Sequence, residues 1–255
     1  MAEAAKVIRT ADRERSRFLG RTYGWMGFAL LVSGIVAWLV SKIIYVYPLG
    51  TPDNMLSRFG AFMFGPGQLF NQAGFWIFAV SEIVIVLVLT ARIRKMSVAG
   101  AAFGFLLYSV LNGVTLSSIF IVYQFYSIVS AFLGTSVMFF IMCFWGLTTK
   151  RNLATFGRYM MMGLLGIIIT NAVGWIMAKI SGVQLVMLDY IIMIASAIVF
   201  SGLAAWDSQK VAKTAAGARN NDDYHKVSIL AALELYLDFI NLFLVLLRLF
   251  GRGRD

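Results

Sequence analysis

Four carboxylates fall in or against long apolar runs: Glu82, Asp207, Glu234 and Asp238. Asp238 sits in the middle of "VSILAALELYLDFINLFLVLLRLF", residues 227–250, a stretch otherwise suited to lipid. An ionised carboxylate at that depth costs roughly 3 kcal/mol on insertion scales. Acids kept at such cost either hydrogen-bond a neighbouring helix or handle an ion or a proton, and the second reading is the default for intramembrane acids. Glu234, Asp238, Asn241 and Arg248 follow spacings that bring them to one helix face. Such a stripe must turn to protein or water, which places this helix centrally in a bundle. Glu82 is mid-helix in its own segment and comparable to Asp238. Asp207 closes an apolar run in "AAWDSQKVAK". Charge alone leaves it open between a solvated helix end, with Lys210 and Lys213 beside it, and a functional acid.

Other chemistry finds little support. His225 is the only histidine and Cys143 the only cysteine, too few for a usual zinc set. His225 is expected in a solvated loop beside Asp222 and Asp223. No GxSxG, HExxH or Walker pattern occurs. An enzyme is therefore not expected, and no cofactor; a carboxylate-only intramembrane protease is a distant alternative. Asn112, Thr115, Ser117 and Ser118 in "LNGVTLSS" read as helix–helix glue, as does Asn171. Gly100 and Gly104 form a weak GxxxG packing signal.

The elements that must position these residues are helices in a membrane. Hydrophobic residues make up 60% of the chain and charged ones 13%, with a mean hydropathy of +0.81. Soluble domains are about 45–50% apolar and about 25% charged. The expected class is an all-α polytopic membrane protein. Seven apolar segments, 22–45, 73–91, 98–123, 128–147, 157–178, 187–206 and 227–250, lie near the ~20 residues a bilayer requires. A basic N-terminal segment, 1–21, precedes the transmembrane domain of residues 22–250. One long extracytoplasmic loop, 46–72, holds all three prolines. The third and fourth segments are joined only by "QFYS", as a helical hairpin.

The net charge of +10 fits cytoplasmic loops touching anionic lipid better than nucleic acid, which is not expected as a partner. Sixteen basic residues lie on one side: Lys6, Arg9, Arg13, Arg15, Arg17, Arg21, Arg92, Arg94, Lys95, Lys150, Arg151, Arg158, Lys210, Lys213, Arg219 and Lys226. The opposite side has Lys42, Arg58 and Lys179. The N-terminus is thus expected in the cytoplasm. Arg248, Arg252 and Arg254 run against that rule, so the seventh segment either spans against a local bias or re-enters.

"LNGVTLSSIFIVY", "AAWDSQKVAK" and "LYLDFINLFLVLLRLFG" resemble motifs of the Bax inhibitor family, also called the transmembrane Bax-inhibitor-motif family, and "RTYGWMGFALLVSGIVAWLV" resembles its first helix. The likeness runs from about residue 20 to 251 and suggests a bacterial member, hence an inner-membrane protein. It implies seven helices with the last wrapped by the other six, and a pH-sensitive calcium leak. It also implies that Asp207 and Asp238 form the pH-sensing pair and hold Ca²⁺ transiently. A latch arginine would fall at Arg92 or Arg94 in "ARIRKMS", and the second-helix glutamate at Glu82. Glu82, Glu234 and Asn241 would line the ion pathway. Glu234 departs from the family pattern, where a small polar residue is common. The chemistry is compatible: Ca²⁺ prefers oxygen ligands, and two close carboxylates in low dielectric cannot both ionise cheaply and titrate as a unit. The alternatives are a non-transporting regulator that binds a membrane protease or stress-pathway partner, and a cation/proton exchanger through the same acids.

Overall fold

The computed structural model describes residues 2–46, 72–181, 186–217 and 222–253. Seven long helices are present among them: α1 (Ala2–Val46), α2 (Gln72–Arg92), α3 (Val98–Leu116), α4 (Phe125–Thr148), α5 (Ala154–Ser181), α6 (Val186–Gly217) and α7 (Asp222–Phe250). Six of them are long and apolar enough to cross a membrane. The remaining one, α2, has 21 residues, also sufficient by length. The chain is an all-helical, multi-pass membrane protein.

Several boundaries differ from the apolar runs. The basic N-terminal segment is helical from Ala2 and continuous with the first apolar run. Ala, Glu, Arg and Lys are good helix formers, and a helix need not stop where its hydrophobicity does. Most of the long loop, residues 47–71, lies outside the described residues. The third segment is not one helix to Tyr123. α3 stops at Leu116 and a single turn follows at Ile119–Val122. Ser117 and Ser118 donate their hydroxyls to Val114 O and Thr115 O of their own chain, at 2.6 and 2.9 Å. Local bonds of this kind compete with the helix ladder; among the described residues these two hydroxyls donate within their own segment, not across to another helix. Asn171 likewise bonds Ile167 O one turn back, at 2.9 Å. At the other end of α3, Ser97 accepts from Gly100 N–H at 3.0 Å, an N-cap.

The sixth and seventh helices also outrun their apolar stretches. α6 continues ten residues beyond Asp207, through "SQKVAKTAAG". α7 begins at Asp222, so His225 is helical rather than in a loop.

The residues pack as two units. One comprises Met1–Leu19, Phe125–Ala218 and Glu234–Arg252; the other comprises Gly20–Gln124, Arg219–Leu233 and Gly253–Asp255. In the first, Gly146 of α4 faces the backbone of Ala205, where a Cβ would overlap the carbonyl oxygen. Gly157 of α5 faces the Trp206 ring in the same way. Small residues allow such close approach between membrane helices. In the second unit, Gly104 of α3 packs on Leu89 of α2, where a Cβ would lie 2.7 Å from a leucine methyl. Gly100, the other half of that GxxxG, meets only Ser97 and Met96 beside it.

The residues after α7 are fixed by two contacts. Arg252 N–H donates to Ser127 Oγ at the start of α4, at 3.0 Å. Gly253 forms an isolated antiparallel bridge with Tyr123, just before α4. At the far end of α4, Leu153 N–H donates to Gln209 Oε1 and Gln209 Nε2 donates to Arg151 O, both at 2.8 Å. The two ends of α4 therefore lie beside the exit of α7 and the C-terminal half of α6 respectively.

Candidate functional site

The C-terminal half of α6 is held firmly. Gln209 ties it to the α4–α5 connection, Lys213 Nζ donates to Asn152 Oδ1 at 2.7 Å, and Gly146 and Gly157 admit Ala205 and Trp206 at close range. On the opposing side, α7 presents the fully buried Leu235, Tyr236 and Leu242. Phe239 stacks edge-on against Phe132 and Phe139, with ring centroids 5.5 and 5.3 Å apart. This packing is apolar and dense, and it surrounds two acids.

Asp207 and Asp238 are both buried, at 8% and 6% exposure, and their carboxyl groups interact electrostatically with each other. Two ionised carboxylates facing each other in low dielectric repel, and a proton on one of them relieves that repulsion. Asp238 Oδ2 is buried without a hydrogen-bond partner among the described residues. Burial overturns the solvated reading of Asp207. Its position at the end of an apolar run is not the end of its helix.

One turn away stand Lys210 and Glu234. Lys210 Nζ donates to Glu234 Oε1 and Oε2 at 2.9 and 2.8 Å and lies 5.8 Å from the Trp206 ring centroid. Asn241 is half-buried, three residues beyond Asp238. Among the described residues, no three of His, Cys, Asp and Glu converge closely enough to hold a metal ion. Any cation bound at the pair is thus held by two carboxyls unless a further acid moves.

The second unit contains two polar clusters. Glu82 of α2 accepts from Asn112 Nδ2 at 3.1 Å and from Thr115 Oγ1 at 2.5 Å, both on α3. Here the expected interhelical glue is present, with the glutamate as its acceptor. Arg21 of α1 hydrogen-bonds the His225 ring and lies 5.9 Å from the Tyr224 ring centroid. Nothing in the sequence pattern pointed to this cluster, whose members are 204 residues apart. Arg92 is exposed in the last turn of α2, and the side chain of Arg94 lies outside what is described.

A family model described as "Inhibitor of apoptosis-promoting Bax1" matches residues 15–255. Inner membrane protein YbhL of Escherichia coli K12 is 38% identical over 241 residues, covering 93% of this chain and 92% of that protein. An uncharacterized protein of Borreliella burgdorferi is 34% identical over 242 residues, with 94% of each chain covered. An uncharacterized membrane protein of Streptococcus pyogenes serotype M1 is 33% identical over 248 residues, with 97% of each covered.

Proposed function

Because this chain belongs to the Bax inhibitor family, we propose that it is a pH-sensitive, calcium-permeable leak of the bacterial inner membrane, gated by Asp207 and Asp238. The observation that supports this reading most is the pair of buried, mutually interacting carboxyl groups, one on α6 and one on α7. With one proton shared, the pair holds the two helices together. Without it, two carboxylates face each other in low dielectric, where repulsion is strong. Separation of the helices, or entry of a cation, relieves that repulsion. Ca²⁺ suits such a site because it takes oxygen ligands in flexible geometry. Arg92 or Arg94 would latch the closed state, and Glu82, Glu234 and Asn241 would line the pathway. No cofactor and no catalytic step is required. The burial of α7, at 61% of its most apolar window, supports a central place for this helix.

A second reading, a non-transporting regulator bound to another membrane protein, draws on α5. None of its most apolar window is fully buried, so, apart from the side that packs on α6, it is open to lipid or a partner.

Reconstitution into liposomes holding a calcium dye tests the first reading. Asp207→Asn and Asp238→Asn should each flatten the pH dependence of calcium entry. The double variant should add little, because a coupled pair titrates as one unit. Folded variants that keep the wild-type pH profile would make the pair structural and favour the regulator. Flux measured with and without a pH gradient separates a leak from an exchanger.

A further inference from the structure

Lys210 lies three residues beyond Asp207 on α6, and Glu234 four residues before Asp238 on α7. Both spacings place them one turn from the aspartates on the same faces. The outer tier is accessible, with side-chain exposures of 46% for Lys210 and 29% for Glu234. The inner tier is buried. We propose that Lys210 is a tethered cation that occupies the entrance carboxylate Glu234, and that an incoming divalent cation must displace it to reach the buried aspartates. This deepens the calcium reading above and rests on it.

Three observations carry the proposal. Both Glu234 oxygens are engaged by one ammonium, so a metal approaching them must compete with a positive charge already in place. Lys210 interacts electrostatically with Asp207 and Asp238 as well as with Glu234, so its charge opposes a second cation at the inner pair. Asp238 Oδ2, buried and unpartnered among the described residues, is an oxygen already stripped of water and unsatisfied by protein.

The exchange itself is chemically easy. Exposed ion pairs are weak, and a lysine reaches its partner on a flexible four-carbon stem. Once the ammonium swings out, Glu234, Asp207 and Asp238 offer three carboxyls along one seam between α6 and α7. A hard divalent ion takes six to eight oxygens, often from bidentate carboxylates. The same three acids do not converge on a metal site while Glu234 is held.

An ion pair kept only for stability, away from the path of the metal, would leave metal affinity unmoved on loss of either partner. A plug and its socket respond oppositely, and this difference is the test. Full-length protein in nanodiscs is titrated with Tb³⁺, with luminescence sensitised through Trp206 and checked by its loss in Trp206→Phe. Lys210→Gln, which removes the plug, should tighten Tb³⁺ binding on the order of tenfold, the scale of a unit charge removed a few ångströms away. Lys210→Arg should stay near wild type. Glu234→Gln, which removes the socket, should weaken binding. Lys210→Met replaces the glutamine variant if that one fails to fold.

Shifts of Lys210→Gln and Glu234→Gln in the same direction, or none in either, would overturn the proposal. Calcium flux into liposomes, measured in parallel, keeps the two readings apart. Wild-type protein without flux at any pH, but with opposite Tb³⁺ shifts, would remove the leak and leave the plug. Wild-type flux with unmoved Tb³⁺ affinities would do the reverse.

Discussion

Glu82 shows what a half-buried carboxylate between two helices requires. It is flanked by donors from α3, Asn112 at 3.1 Å and Thr115 at 2.5 Å. Thr115 Oγ1 also lies 3.2 Å from Leu111 O. One hydroxyl proton cannot serve both acceptors, so the threonine can donate to the glutamate or receive from it while bonding its own helix. Removing a partner of a buried polar group costs about 1–3 kcal/mol. Thr115→Val is therefore expected to lower stability by that amount, Asn112→Ala to act in the same direction, and Thr115→Ser to restore most of the loss. Thermal unfolding in a fixed detergent checks this, and a valine variant as stable as wild type would show that the bond contributes nothing net. Residue by residue, the sequence reveals such acids because charge is conspicuous in an apolar run. It does not reveal their partners: Arg21 and His225 meet only through tertiary packing.

Apolar periodicity and length disclose each helix at the scale of elements. What they miss is where a helix continues after its apolar face ends. α6 is the case that matters. Its last ten residues are polar or small, so the apolar run stops at Trp206, while Ala, Lys and Gln carry the helix on to Gly217. Read as a helix end, Asp207 lies far from Asp238 in depth. Read inside a helix of 32 residues, it has neighbours on every side and a partner on α7. The break after Leu116 is equally hidden, because serines are common in membrane helices and only their back-bonding shows that the ladder has failed. The close approaches at Gly146 and Gly157 depend on which helix faces which, and a lone glycine in the sequence does not say.

For the molecule as a whole, the distribution of basic residues and the ends of α4 bear on one question, the orientation in the membrane. Arg252 lies beside the start of α4 and Gly253 beside Tyr123 just before it, and the α4–α5 connection lies beside Gln209. If the basic α4–α5 connection lies in the cytoplasm, as its charge predicts, the exit of α7 at the far end of α4 is expected to face outward, and α7 to cross completely despite its C-terminal arginines. With Cys143 replaced, a cysteine at Tyr126, which is 80% exposed, should react with an impermeant thiol reagent applied to intact cells. A cysteine at Arg151 should react only after lysis. The reverse pattern would invert the whole topology and move the aspartate pair to the outer half of the membrane.

The length of α6 has a consequence for membrane voltage. Asp207 is 21 residues past Val186, so about 32 Å along the helix at the 1.5 Å rise. A hydrocarbon core is ~30 Å thick. If α6 enters the core near Val186, the aspartate pair stands at its inner boundary, where the transmembrane field has almost fully decayed. A charge that crosses the entire field gains roughly 2.3 kcal/mol per 100 mV, equal to about 1.7 pH units of apparent midpoint. A charge at the boundary gains a small fraction of that. On the proposed function, the pair would then sense cytoplasmic pH and be blind to the potential. Flux titrated against pH in liposomes, with and without a potassium diffusion potential of about 100 mV, should give nearly the same midpoint. A shift approaching the full 1.7 units would instead place the pair deep in the bilayer.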